Sequence, residues 1–371
     1  MSAANFAGNT CAVKSGKKRK VPPNQELPSP PIPVLTMADV AKKIGVTATT
    51  VSLALRNHPR ISLERRKEIQ ALAEQMGYRP NAVATNLAYH RHASPNRPTE
   101  AALAWINAYP DPKELLSHQQ FSAYWKGAST AAEKFGYRLD EFIVDKEMPL
   151  HRIGKILRAR NISGILIPPH AGMDVPWKEV NWNDFAVVRF GLTAKNLPPF
   201  HAVTADQAGN AYLAFMKMKE MGYKRIGFAG AIEKEWRGLA GFAQAQFNVP
   251  PEQRIPPLLH HFREGRENLE KPLRYLEEQK PDAILIEHGQ FFDQLITLGI
   301  KAPKDVGLAT TVLPDVALDS GIDQNPEEIG RVAILLLLSQ IRDNSRGIPP
   351  IFRQSLVAGT WKQGKSLAKR A

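Results

Sequence analysis

A chain of 371 residues exceeds what a single hydrophobic core usually serves, so two or three folding units are expected. Hydrophobic residues make up 43% and charged residues 23%, ordinary for a globular protein, and no apolar run approaches the roughly 18 residues of a membrane span. The first residues show no apolar stretch before a small-residue cleavage site, and the single Cys11 cannot close an internal disulfide. A membrane span, secretion and a disulfide scaffold are therefore not expected, and a reducing cytoplasm fits. The net charge of +13 is unevenly placed: residues 1–94 hold 14 Lys/Arg against 5 Asp/Glu, a net +9. Such a concentration in one small part suits contact with a polyanion, although a solvated basic face has the same composition.

Residues 1–33 contain six prolines and the basic cluster Lys17, Lys18, Arg19 and Lys20, with hardly any periodic apolar residues. They are expected to be a disordered tail, read as a loose electrostatic arm or an overlong gene start in preference to a nuclear-import signal. From Thr36 the pattern becomes helical. Thr36 is placed as an N-cap with Asp39 in the first turn, and Met37, Val40, Ala41 and Ile44 form an i, i+3, i+4, i+7 stripe that Gly45 ends. A second short helix after Thr47 buries Val51, Ala54 and Leu55, and a third after Ser62 buries Ile69, Leu72, Ala73 and Met76 before Gly77. Two short helices joined by a Gly-containing turn, with a third across them, make a helix-turn-helix.

Beyond the link at 93–98, short apolar runs alternate with helical patterns. Strands are predicted at 101–106, 137–144, 164–168, 185–190, 225–229, 283–286, 306–309 and 354–358. Helices are predicted at 118–135, 149–160, 207–221, 234–247, 266–279, 288–299 and 325–343. This alternation implies βαβ units and parallel sheets flanked by helices.

The run from Leu35 to Ser62 joins a capped helix, Gly45 at the turn, Thr50-Val51-Ser52 in the second helix and Ile61-Ser62 opening the third. With the exit Gly77-Tyr78-Arg79-Pro80-Asn81, it closely resembles the DNA-binding headpiece of the LacI/GalR (lactose-repressor) family. With Val51, Ala54 and Leu55 buried, the second helix presents Ala48, Thr49, Ser52 and Leu53 outward, able to reach base edges or phosphates in a major groove. The resemblance places Ala48, Thr49 and Leu53 where the family reads bases. Thr36, Thr47, Ser52, Arg56 and Arg60 are better placed for phosphates. Leu53 stands where an Arg is often found and Arg56 where many members carry Asn, so readout should lean on thymine methyls and DNA shape. Asn81 to Ala88, including Ala84, resembles the family's minor-groove hinge helix with Leu87 as its wedge. Tyr78 and Asn81 complete the DNA-side expectations.

The remainder resembles the family's core, two doubly wound parallel-sheet lobes of the periplasmic-binding-protein type with three crossovers and a ligand between them. The marks are Gly127 to Gly136, Ile162 to Ile167, Val203 to Gly209 with Asp206, Met221 to Gly230, Gly241-Phe242, Leu298 to Val306, and Asp323-Gln324 to Gly330. The domain reading is a tail at 1–33, the helix-turn-helix at 34–80, hinge and linker at 81–96, and the core at 97–371.

The pocket departs most from the family pattern. Gly238 holds the place of an expected Arg, with Arg237 one position earlier; Glu287-His288 replaces an Asn-Asp pair, and an expected Asp falls on Val312. Those groups normally fork onto sugar hydroxyls or a nucleobase, so either the ligand differs or there is none. Trp236 beside Arg237 would restore an aromatic platform and a donor, while a Trp on a helix also serves core or subunit packing. The ligand-side candidates are Asp206, Trp236, Arg237, Glu287, His288 and Gln324. His260, His261 and His288 lack metal-ligand spacing.

Gly359-Thr-Trp-Lys-Gln-Gly364-Lys365-Ser366 fits the phosphate-loop pattern, but only five residues follow Ser366, too few for the helix that loop requires. The resemblance thus implies a non-enzymatic, cytoplasmic bacterial regulator, a repressor by default. Its expected partners are double-stranded operator DNA, a small-molecule effector such as a sugar or related metabolite, and a second copy in a homodimer, with no cofactor. The alternatives are a transporter's solute-binding protein, opposed by the headpiece, and an α/β enzyme, opposed by the missing phosphate and metal sites.

Overall fold

The computed structural model describes residues 35–55, 57–58, 60–78, 101–170, 175–192, 194, 196–231, 236–260, 268–313 and 315–370. The tail at 1–33, the hinge at 81–88 and the link at 93–98 lie outside the described residues, as does Arg56.

The first unit is three helices, α1 (Met37–Ile44), α2 (Ala48–Leu55) and α3 (Leu63–Gln75). A capping box opens α1: the Asp39 amide donates to Thr36 Oγ1, and the Thr36 amide donates back to the Asp39 carboxylate at 2.7 Å. Gly45 ends α1 in the left-handed region with φ 72°. The Thr50 amide donates to Thr47 Oγ1 ahead of α2, and the Arg65 amide donates to Ser62 Oγ at the start of α3. Val40, Ala41, Val51, Ala54, Ile69 and Ala73 form the core. Met37, predicted within the stripe, is exposed.

The larger unit contains two six-stranded sheets. The N-terminal lobe orders its strands β11-β5-β4-β3-β1-β2, all parallel: β1 (Ala101–Asn107), β2 (Tyr137–Ile143), β3 (Gly164–Ile167), β4 (Ala186–Phe190), β5 (His201–Ala205) and β11 (Gln354–Val357). The C-terminal lobe orders β12-β10-β9-β8-β6-β7: β6 (Ile226–Ala231), β7 (Leu258–His260), β8 (Ala283–Ile286), β9 (Gly307–Leu313), β10 (Gly321–Asp323) and β12 (Thr360–Lys362), of which only β12 runs antiparallel. Buried runs such as Ala-Ile-Leu-Ile in β8 need apolar residues at successive positions because helices cover both faces of the sheet.

The N-lobe helices are α4 (Pro112–Ser117), α5 (Gln119–Lys134) and α6 (Leu150–Ala159); the C-lobe helices are α7 (Gln207–Glu220), α8 (Arg237–Gln246), α9 (Glu270–Gln279) and α10 (Gly289–Thr297). The last helix, α11 (Pro326–Asp343), follows a C-lobe strand yet packs on the N-lobe, in one core with Trp105, Tyr124 and Val188. The chain therefore crosses between lobes three times: from β5 into α7, from β10 into α11, and from β11 into β12.

The two lobes solve one packing problem alike. A Cβ on Gly127 of α5 would lie 1.9 Å from the Glu327 carbonyl oxygen of α11, and one on Gly241 of α8 would lie 1.9 Å from the Ala208 carbonyl oxygen of α7. In each lobe a helix between the first two strands carries a glycine so that the incoming crossover helix can touch its backbone.

The Gly359–Ser366 segment forms no phosphate loop. Thr360–Lys362 is strand β12 on β10, and the amides of Lys365 and Ser366 donate to the Asp319 carboxylate, both at 2.8 Å. Those two donations hold the Asp319 pKa down at about 2. Because the folded-state value lies below the ordinary aspartate value of 3.8, this carboxylate stabilises the fold above about pH 4, and the contribution is lost as pH falls toward 2. Asp319→Asn should therefore lower stability at pH 7 by about 1 kcal/mol, solvent screening at this exposed position limiting the effect, and the gap to wild type should close near pH 2. Thermal melts of both proteins at pH 7 and near pH 2 decide it; a gap that persists in acid would show that Asp319 acts by packing and not by charge.

Candidate DNA interface and interlobe cleft

In the headpiece, Ala48 and Thr49 are exposed and Ser52 and Leu53 half-buried, whereas Val51 and Ala54 on the opposite side of α2 are fully buried. The predicted reading face of α2 thus faces outward. Thr47 and Arg60 are exposed at the two ends of this surface. The Thr36 hydroxyl donates to the Asp39 carboxylate at 2.6 Å, and these bonds to Thr36 keep the Asp39 pKa low, so the capping box already uses the hydroxyl proton. Tyr78 packs half-buried against the headpiece core, and burial raises its pKa. Its ring serves the headpiece fold as well as its surface. Arg56, Asn81, Ala84 and Leu87 lie outside the described residues.

The three crossovers leave the carboxyl ends of the parallel strands, where ligands bind in open α/β sheets. Every ligand-side candidate stands at such an end: Asp206 after β5, Trp236 and Arg237 before and within α8 after β6, Glu287 and His288 after β8, Gln324 after β10. Their surroundings differ. Asp206 caps α7 by accepting from the Gly209 amide at 2.9 Å. Trp236 holds a left-handed backbone, φ 55°, at the N-cap of α8, with 57% of its surface exposed, so it is not core packing within this chain. Arg237 is half-buried, its Nε and Nη1 shielded from solvent. Burial pushes the Tyr124 pKa up, a rise to which Asp315 adds and which Arg237 opposes. His288 accepts from the Gln290 amide at 3.3 Å and caps α10.

Gly238 has a physical reason. A Cβ there would lie 2.3 Å from Glu287 Oε1, and Glu287 is buried with Phe228 beside the same space. Glu287 occupies the volume that a side chain at 238 would need. A side chain at 238 and the Glu287 carboxylate would compete for the same space, so packing couples the two positions.

One residue pair was invisible in the sequence. Gln120 of α5 donates from Nε2 to Gln324 Oε1 at 2.6 Å, while Gln324 Nε2 donates to the Thr311 carbonyl at 2.8 Å and to Gln207 Oε1 at 3.3 Å. Gln120 is 204 positions from Gln324, and no local signal announces the pairing. Within the N-lobe core Tyr124 stacks on Phe190 at 5.1 Å with Phe121 alongside. Among the described residues no group of three His, Cys, Asp or Glu is arranged to hold a metal ion, and no helix is long and apolar enough to cross a membrane.

A helix-turn-helix headpiece ahead of a two-lobed α/β core with three crossovers defines a class, the DNA-binding regulators built on a periplasmic-binding-protein-like core. The family model described as "Bacterial regulatory proteins, lacI family" matches residues 36–81. The HTH-type transcriptional regulator MalR of Streptococcus pneumoniae is 23% identical over 331 residues, 86% of this chain and 97% of the relative. Catabolite control protein A of Priestia megaterium is 24% identical over 324 residues, 82% of this chain and 91% of the relative. The solved structure of a transcriptional regulator CelR–cellobiose complex superposes with a TM-score of 0.53 at 17% identity, covering 90% of this chain and 99% of that one. The N-terminal unit thus matches the lacI-family DNA-binding domain, and most of the chain is similar to curated transcriptional regulators with that domain.

Proposed function

We propose that this protein is a cytoplasmic, non-enzymatic repressor that binds a two-fold operator as a homodimer and is modulated by a small molecule, a sugar or related metabolite, held between its lobes. The observation that carries the DNA reading is the exposed Ala48/Thr49 face of α2 on a headpiece matched throughout by the lacI-family model. Ala48, Thr49 and Leu53 read base edges, and Thr47, Ser52, Arg60 and the helix starts hold phosphates. Thr36, Arg56, Tyr78, Asn81, Ala84 and Leu87 extend this interface by resemblance. One headpiece offers few base contacts, which a two-fold pair doubles. The effector reading rests on Asp206, Trp236, Arg237, Glu287, His288 and Gln324 standing together at the carboxyl strand ends of both lobes, and is supported by the CelR–cellobiose structure having the same fold.

Selection of duplexes from a random pool by the purified full chain tests the DNA reading: a pseudo-palindromic consensus is expected, and no enrichment would refute it. On the selected duplex, Arg60→Ala should lower the slope of log affinity against log salt by about one if Arg60 neutralises one phosphate. An unchanged slope takes Arg60 out of the interface. Screening a sugar and sugar-phosphate panel by Trp fluorescence tests the effector reading. Arg237→Ala should abolish the response, and an unaltered response would remove Arg237 from the site.

A further inference from the structure

We propose that the core holds the recognition helix in register through a hydrogen-bonded joint between Asn344 and Asn57, so that Asn344 is a positioning residue for DNA recognition. The proposal rests on the DNA-binding reading above and adds to it a route by which the core reaches the headpiece.

The joint is an unbroken chain of hydrogen bonds between the two units. Asn344 is the C-cap of α11, with left-handed φ 55°, and its Nδ2 donates to the Asn57 carbonyl at 2.9 Å. That amide is itself oriented: Arg346 Nε donates to Asn344 Oδ1 at 3.0 Å, and Arg346 Nη1 donates to the Asp184 carbonyl of the N-lobe at 2.9 Å. With Oδ1 committed to Arg346, Nδ2 must face the headpiece.

On the headpiece side, Asn57 lies just beyond α2 and is also left-handed, φ 55°. Arg66 Nη1 donates to the same Asn57 carbonyl at 3.0 Å. Gln70 Nε2 donates to Asn57 Oδ1 and to the Ala54 carbonyl, both at 2.9 Å. Ala54 belongs to the last turn of α2, where carbonyls lack intrahelical partners. The chain therefore runs from the N-lobe through Arg346, Asn344, Asn57 and Gln70 to the free end of the recognition helix. Ala48 and Thr49, at the other end of α2, stay exposed, so this arrangement leaves the reading face open to DNA.

The far end of the same strut lies at the lobe junction. Helix α11 spans 18 residues, about 27 Å at the helical rise. At its start Asn325 Nδ2 donates to the Ala358 carbonyl in the third crossover, next to Gln324 with its bond to Gln120. A change at the crossovers is thus carried by one rigid element to the turn that ends α2.

Asn344→Gly tests the joint cleanly, since glycine keeps the left-handed C-cap and removes only the amide. Two measurements on the full chain are needed. Hydrogen exchange at the His58 and Ile61 amides, which donate within this turn, reads the joint without DNA. Both should exchange several-fold faster in the variant, at an unchanged melting temperature. On the duplex selected by wild type, affinity should fall by about fivefold for Asn344→Gly, the size expected of one hydrogen bond, and by about twentyfold for Asn344→Asp, which sets an acceptor against an acceptor. Affinity for random-sequence duplex and the salt slope should stay as in wild type, because phosphate contacts are untouched. Gln70→Leu should reproduce the loss, and the double variant should lose less than the sum of the two. Unchanged exchange in Asn344→Gly overturns the joint whether or not DNA is bound. Equal losses on selected and random duplexes, or additive effects with Gln70→Leu, overturn its positioning role. Failure of wild type to select any duplex would instead sink the DNA-binding reading, leaving the exchange result to judge the joint.

Discussion

Leu367→Ala is expected to lower stability by about 3 kcal/mol, a cost set by the cavity that a fully buried leucine leaves behind. Leu367 is part of the C-lobe core with Phe215, Tyr223 and Phe242. The residues around it are tied down on both sides. Ser366 exchanges two hydrogen bonds with Leu308, its hydroxyl and carbonyl meeting that residue's carbonyl and amide. Tyr223 Oη donates to the Ala368 carbonyl at 2.8 Å, the Arg370 amide donates to the Met221 carbonyl at 2.9 Å, and the Arg370 guanidinium lies 4.7 Å from the Tyr223 ring centre. The basic C-terminal stretch is therefore the closing piece of the C-lobe. At about 2–4 °C per kcal/mol for a unit of this size, the melting transition should fall by roughly 10 °C. A variant within about 1 kcal/mol of wild type in denaturant titration would show that the stretch is an ornament on an already complete lobe.

Much of this architecture was legible because local and global demands coincide. Thr36, Thr47 and Ser62 each precede a short amphipathic run, and all three accept amide hydrogen bonds at helix starts. In the core, β8 was predicted at 283–286 and forms there, since four successive buried apolar residues have few alternatives. The misses have causes too. Strand β5, His-Ala-Val-Thr-Ala, carries two polar residues that are nonetheless buried, and the His201 ring pairs with the distant Arg353. Strands β7, β10 and β12 have three residues each and exist because a neighbour offers an edge. Helix α4 is six residues long, too short to show a period. Sequence order also could not show that α11, which follows a C-lobe strand, covers the N-lobe.

The cleft was less legible because its geometry is set by pairs far apart in the chain. The family pattern marked Gly238 and Glu287 as two separate departures, and only the 2.3 Å approach of a Cβ at 238 to Glu287 Oε1 shows that the two positions adjoin. Gln324 was marked as a ligand contact. Both protons of its amide and one of its acceptor positions are engaged by Gln120, Gln207 and Thr311, so an effector reaching Gln324 must exchange a protein bond for its own. Ligand and lobe arrangement would then be linked through that one side chain.

Thr49→Glu is expected to reduce affinity for the selected duplex at least 100-fold, about 2.8 kcal/mol, while leaving the headpiece folded. Thr49 is exposed in the first turn of α2, where a carboxylate is tolerated or mildly favourable because the helix dipole presents its positive end there. A fold-level explanation for lost binding is thereby removed. Against DNA the same carboxylate replaces a hydroxyl that can donate or accept, and it faces both base-edge acceptors and the phosphate field. One wrong base contact costs about 1–3 kcal/mol, and the added like charge pushes the loss to the upper end of that range. Leu53→Ala should behave differently. Leu53 is half-buried and can offer DNA only an apolar contact, so the variant should relax preference at one base-pair position with only a modest overall loss. Reselection from a random pool reads that preference directly. A Thr49→Glu loss below about fivefold, or a Leu53→Ala variant that returns the wild-type consensus unchanged, would place the reading face elsewhere on the headpiece.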